Sequence, residues 1–175
     1  VLPKSFADYL LALQVATVAE QVETFIWQGD ASNNGEFDGF VKLLTNDANL
    51  PTANEVVGTT IDATNVIDEL GRLVDAIPTR LYAKQDMTIY VPKNVHAAYI
   101  RALGGFAAVG SNGYDAKGTM WYNGQPLTFD NYKLELVHGL PSNVMIAAQK
   151  ANLFFGCGLL SDQNEVKLID TSATL

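Results

Sequence analysis

FADYLLALQVATVAEQVETFIW, residues 6–27, decides how the rest of the chain is read. Ser5 with Asp8 three places on makes a capping-box-like start, good helix formers follow, and Gly29 and Asp30 stop them. This predicts one helix over residues 6–27, roughly 33 Å long, close to the diameter of a compact domain of this size. At about 100° per residue, Leu11, Val15, Val18, Val22, Phe25 and Ile26 fall on one stripe, which reads as the face toward the domain's own core. Phe6, Tyr9, Leu10 and Leu13 fall on the opposite side, and in the second half that side carries Glu20, Gln21, Glu23 and Thr24 instead. The first half is therefore apolar all round and the second amphipathic. Phe6, Tyr9, Leu10 and Leu13 are the candidate interface residues, because the other stripe already supplies one buried face.

Working outward, residues 28–60 are rich in Gly, Asn, Asp and Thr around an apolar run from Phe37 to Leu44, which predicts a loop framing a short helix or strand. Val66, Ile67, Leu70, Leu73, Val74 and Ile77 recur at helical spacing from Thr64 until Pro78. Met87, Ile89 and Val91 alternate as in a strand. Pro92 and Asn94 open a helix to Leu103, which Gly104 and Gly105 end. The glycine-rich run from Gly104 to Gly118 predicts a mobile loop. Strands are expected over residues 119–122, 126–137, 143–148 and 165–169, with an Asn123-Gly124 hairpin turn and a short helix or turn over residues 149–155. The fold class is α+β.

The 175 residues suit one structural unit, and 48% hydrophobic against 17% charged residues, with a mean hydropathy of +0.08, describes a globular chain unusually short of charge. Part of such a surface is expected to face other subunits. Eleven Lys and Arg against nineteen Asp and Glu leave a net charge of −8, which repels phosphate backbones and argues against specific nucleic-acid binding. A single cysteine excludes a disulfide scaffold. The stretch from Tyr9 to Ala19 is too short to span a bilayer and lacks the flanks of a signal peptide, so no membrane partner is expected. The start at Val1 instead of Met points to trimming, tag removal or proteolytic maturation.

Motifs that carry chemistry are weak throughout. Asp30-Ala31-Ser32-Asn33-Asn34-Gly35 imitates the first half of a calcium loop, but Val41 stands where a bidentate Glu should close it, so a helix-terminating turn is the expectation. His96, His138 and Cys157 fall short of a zinc set, and Cys157 between two glycines reads as a packed thiol. Lys117-Gly118 inverts the order a phosphate-binding loop needs, and Gly110-Ser111-Asn112-Gly113 lacks nucleophile-elbow spacing. Asp30 with Glu36 or Asp38 reads as solvated turn residues, and Asp68 with Arg72 as a surface helix pair. Neither a catalytic residue, a metal ligand nor a cofactor is assigned, and the chain is expected not to be an enzyme.

The order of landmarks resembles the Hong Kong 97-type major capsid protein of tailed phages. In that family a long spine helix runs into a Gly-Asp turn and a Gly-containing apolar segment, here Phe25-Ile26-Trp27-Gln28-Gly29-Asp30 and Phe37-Asp38-Gly39-Phe40. A helix, a strand with Pro at its exit and a second helix follow, here Thr64 to Ile77, Met87 to Pro92 and Asn94 to Leu103. Gly124-Gln125-Pro126-Leu127 resembles the family's Gly-x-Pro strand entry. Asn152-Leu153-Phe154-Phe155-Gly156 near Leu160-Ser161-Asp162 is most similar to capsid proteins of Bacteroidales gut phages.

The resemblance implies a spine helix over residues 1–27, part of a peripheral domain, and an axial-domain-like α+β core with a mixed sheet, flanking helices and a return segment over residues 28–175. It covers the core alone, without the N-terminal arm and extended hairpin loop or the terminal strands, so crosslinking chemistry is carried onto no residue. The implied function is a virion shell subunit, or a fragment of one, that self-associates into hexamers and pentamers of a phage or prophage head. Its partners are other copies of itself and the arm and hairpin segments of full-length subunits, and its place is the virion capsid, made in the bacterial cytoplasm. The alternative is a small-molecule or metal-binding α+β domain using the Asp30 to Asp38 loop and the glycine loop.

Overall fold

The computed structural model describes residues 6–105 and 127–156. Helix α1 spans Phe6–Gln28, one residue beyond the expected end. Helices α2 (Phe40–Thr45), α3 (Val66–Asp75) and α4 (Lys93–Gly105) follow, with strand β1 (Met87–Val91) between α3 and α4. Strands β2 (Thr128–Phe129), β3 (Tyr132–Leu136) and β4 (Ile146–Gln149) complete a four-stranded sheet in the order β2-β3-β1-β4. The sheet is mixed, with β1 parallel to β3 and antiparallel to β4, and the class is α+β as the sequence suggests. The expected strands over 119–122 and 165–169, the Asn123-Gly124 turn, the glycine run from 106 onward, Ser111 and Cys157 lie outside the described residues.

Strand β1 is buried on both faces, and its alternation divides the interior in two. Met87, Ile89 and Val91 face one cluster with Val66, Leu70 and Val74 of α3, Val95, Ala98, Tyr99 and Ala102 of α4, and Tyr132 and Leu134 of β3. Tyr90 points the other way, into a cluster with Trp27, Val137, Leu140 and Ile146, against which Phe40, Val41 and Leu44 pack. Helices α3 and α4 thus cover one face of the sheet, and the C-terminal turn of α1 with α2 covers the other. Trp27 helps to join α1 to the body, its ring tilted against Phe40 at 5.4 Å and against Tyr90 at 5.2 Å. Two glycines let the backbones meet there. A Cβ on Gly139 would sit 2.4 Å from the Glu23 carbonyl oxygen, and one on Gly39 would sit 2.7 Å from the amide nitrogens of Gln28 and Gly29.

Three sequence expectations change. Helix α4 runs through Gly104 and Gly105, the glycines expected to end it after Leu103. Residues 126–137 read as one strand but form a hairpin, β2 to β3, turned by Asp130 and Asn131 at φ 45° and 66°. Asp and Asn tolerate the left-handed region that such a two-residue turn requires. The Asp68–Arg72 pair is replaced by a different one. Arg72 reaches Glu69 at 3.1 Å and donates to the Val57 carbonyl at 2.8 Å. Glu69 is buried and also accepts from the Thr59 hydroxyl at 2.9 Å, fastening the long loop before α3.

Local polar groups hold the remaining turns. Asn143, at φ 65°, accepts at its Oδ1 from the Ile61 amide at 3.1 Å and from Asn94 at 2.8 Å, tying three segments together. The Tyr132 hydroxyl accepts from the amide of Ala83, another left-handed residue, at 2.8 Å.

Candidate functional site

Helix α1 is two environments joined end to end. At its foot, Val22 to Ile26 are half-buried and Trp27 is 8% exposed. Above Val22 the helix stands clear of the described body. Phe6 is 75% exposed, Tyr9 51% and Leu13 50%, while Leu10 is half-buried. Of the four residues singled out from the sequence, Phe6, Tyr9 and Leu13 are exposed and Leu10 is half-buried.

The opposite stripe corrects the sequence reading. Val15 is 47% exposed and Val18 51%, and of the face expected to be the domain's own core only Ile26 packs against a buried cluster, with Val22 and Phe25 half-buried. Helical periodicity reports which residues share a side, and it does not report how far along the axis a neighbour extends. A signal was nonetheless present. Between Phe6 and Ala19 the only charged residue is Asp8, whereas a helix solvated along one side carries charge there. Thr17 and Thr24 turn their hydroxyls back to the Leu13 and Glu20 carbonyls, at 3.0 and 3.1 Å. Charge is thus missing from residues 6–19 around the whole circumference apart from Asp8, not along one stripe alone.

The Asp30 to Asp38 loop has different chemistry from the one its pattern imitates. Lys42, the third residue of α2, places its Nζ 2.6 Å from Asp30 Oδ1 and 2.6 Å from Asp38 Oδ1. Its ammonium stands between the carboxylates that a cation would bridge. Asp30 also accepts from the Ser32 amide at 2.8 Å, Asp38 from the Ala31 amide at 2.9 Å, and Glu36 from the Asp30 amide at 3.0 Å. The hydrogen bonds from Lys42 are the main reason both aspartates are held below the usual carboxylate range, and the same bonds raise the lysine. The loop is thus a closed ionic turn that seats α2 beside the foot of α1. Val41, where a calcium loop needs its last ligand, packs toward Trp27. Among the described residues no group of three or more His, Cys, Asp or Glu could hold a metal ion.

The remaining side chains of interest are scattered. His96 is half-buried on α4, where burial lowers its basicity, and His138 is exposed in the turn after β3. An open concavity of about 440 Å³ lies between residues 61–63 and α4, lined by Asp62, Ala97, Ala98 and Ser142 with Lys93 and Arg101. Among the described residues its lining includes none of the Asp30 to Asp38 loop. Among the described residues every buried side-chain nitrogen and oxygen has a hydrogen-bond partner, so no buried polar group is left aimed into it.

No protein-family model matches this chain, and neither the curated proteins nor the solved structures contain a match. No described helix is long and apolar enough to cross a membrane.

Proposed function

We propose that the chain is a structural subunit of a tailed-phage or prophage head, of the Hong Kong 97-type, that acts by self-association into hexamers and pentamers and has no catalytic role. The observation that carries this reading is the shaft of α1, residues 6–21, which is apolar around its first half and stands off the body that its foot is built into. A helix with this distribution is stable in water only when other surfaces enclose it. Each large side chain on it is worth roughly 1.5–3 kcal/mol when fully buried, and contacts repeated around a ring of subunits sum that gain. The element order also supports the reading: a long helix, a Gly-Asp turn, a helix, a strand leaving through Pro92 and a helix that starts at once, over a mixed sheet. On this proposal the subunit's site is the virion shell, assembled in the bacterial cytoplasm, and a net charge of −8 suits a wall that encloses DNA without gripping it.

Sedimentation velocity over a concentration series, followed by negative-stain electron microscopy, tests it. Rings or shells of the chain are the expected result. A monomer at every concentration, together with a rise in melting temperature on adding a nucleotide or other small metabolite, would favour a ligand-binding α+β domain using the concavity beside α4.

A further inference from the structure

We infer that Asn34, in the exposed part of the Asp30 to Asp38 turn, is a self-modification site: in water and with no enzyme it closes a cyclic imide with the amide of Gly35, which opens to aspartate and isoaspartate. The inference goes beyond the shell reading and does not depend on it.

Four features meet at this pair. Asn34 and Gly35 are both exposed. No group among the described residues hydrogen-bonds the Asn34 side chain or the Gly35 amide, so the carboxamide is free to turn toward the nitrogen that follows it. Gly35 lies at φ 89° and a Cβ built there would meet nothing within 4 Å, so neither a side chain nor a neighbour shields that nitrogen. The backbone hydrogen bond that closes the turn around the pair, from the Glu36 amide to the Asn33 carbonyl, is 3.4 Å long, beyond the usual range, and yields readily. Asn33 differs on two counts: its Nδ2 donates to Glu36 Oε2 at 3.3 Å, and the residue after it carries a side chain. Among the described residues Asn34 is the only asparagine followed by glycine.

The Gly35 nitrogen attacks Asn34 Cγ, and its proton and the Nδ2 group leave together as ammonia, so one C–N bond forms as another breaks and nothing is oxidised. Water then opens the five-membered imide. Opening at Cγ restores the ordinary chain with an aspartate, and opening at the main-chain carbonyl of residue 34 runs the chain through Cβ, one atom longer. That longer link falls inside the turn whose Lys42 bridge to Asp30 and Asp38 seats α2 beside the foot of α1, and loosens it.

Incubation of the full chain in warm, mildly alkaline buffer, followed over time by peptide mass spectrometry and by methyl labelling with an isoaspartyl methyltransferase, tests this. The expected result is a gain of about 1 Da at residue 34, ahead of Asn33 and of every other described asparagine, with isoaspartate among the products and a several-fold slower gain in Gly35→Ala. A gain no faster than at Asn33, an undiminished gain in Gly35→Ala, or aspartate without isoaspartate would overturn the inference, the last because direct hydrolysis of the side chain gives aspartate alone. Asn34→Asp supplies the product of ordinary chain length. Aged chain rich in isoaspartate is expected to melt below it, and equal melting temperatures would overturn the loosening of the turn.

Discussion

The foot and the shaft of α1 are built from similar residues and meet opposite fates. Ile26 and Trp27 pack against α2, β1 and the turn after β3, and Val22 and Phe25 beside them are half-buried, whereas Phe6, Tyr9, Leu13, Val15 and Val18 are exposed. One helix thus serves as a wall of the domain at one end and as an unoccupied surface at the other. Apolar character alone does not tell core from interface, because both are apolar faces and differ only in whose atoms cover them.

The comparison is broken most sharply at the foot. Trp27→Ala removes the ring that bridges Phe40 and Tyr90 and is expected to lose about 3–5 kcal/mol of stability in chemical denaturation; a loss below about 1 kcal/mol would mean that the foot is not core. Next in size is Gly139→Ala, whose Cβ would collide with the Glu23 carbonyl at 2.4 Å. Overpacking of this kind costs about 1–3 kcal/mol, and an unchanged denaturation midpoint would show that α1 can shift freely against the sheet.

Acid pH separates the body from the shaft in another way. Hydrogen bonds from Thr59 hold Glu69 below its ordinary value of 4.5, and those from Lys42 hold Asp38 below 3.8. A carboxyl whose folded pKa is depressed contributes stability that is fully present above the unfolded pKa and is lost as pH falls through the folded one. Stability is therefore expected to fall as pH drops below about 4.5, and Glu69→Gln, less stable at neutral pH, should show a shallower acid decline. An identical pH profile for the variant would remove Glu69 from this account.

On the shaft, Phe6→Ser with Leu13→Ser is expected to change the stability of the isolated chain by no more than about 0.5 kcal/mol, as surface substitutions do, while shifting sedimentation profiles toward smaller species. Unfolding comparable to that of Trp27→Ala would place this side of the helix in the monomer's own core. The smallest effect is expected from calcium. At millimolar levels it should leave the melting temperature unchanged, because Lys42 already stands between Asp30 and Asp38. A rise of several degrees that Asp30→Ala abolishes would show that the ammonium can be displaced.

Much of this fold is legible in the sequence. The long helix, the helix broken at Pro78, the strand from Met87 to Val91 and the helix that opens after Pro92 all follow from periodicity and from residues whose own dihedral limits end or begin an element. The four interface candidates follow from the same angular arithmetic. The hairpin at Asp130 and Asn131 was hidden because its turn lacks the glycine that usually announces one, and both flanking segments read as one strand. Glu69's choice of Arg72 and Thr59 was hidden because one of those partners lies ten residues away, in a loop without periodicity.

The sequence by itself determined the elements and the side of each helix that is apolar, since both are properties of neighbours three or four residues apart. Only the tertiary structure decided that the apolar stripe of α1 packs against a buried cluster at Ile26 and stays exposed at Val18 and Val15, because that boundary is set by where β1, α2 and the turn at Gly139 come to lie. It likewise decided that the loop resembling a calcium site holds a lysine, for Lys42 reaches Asp30 across twelve residues, and that distance closes only when α2 folds back against α1.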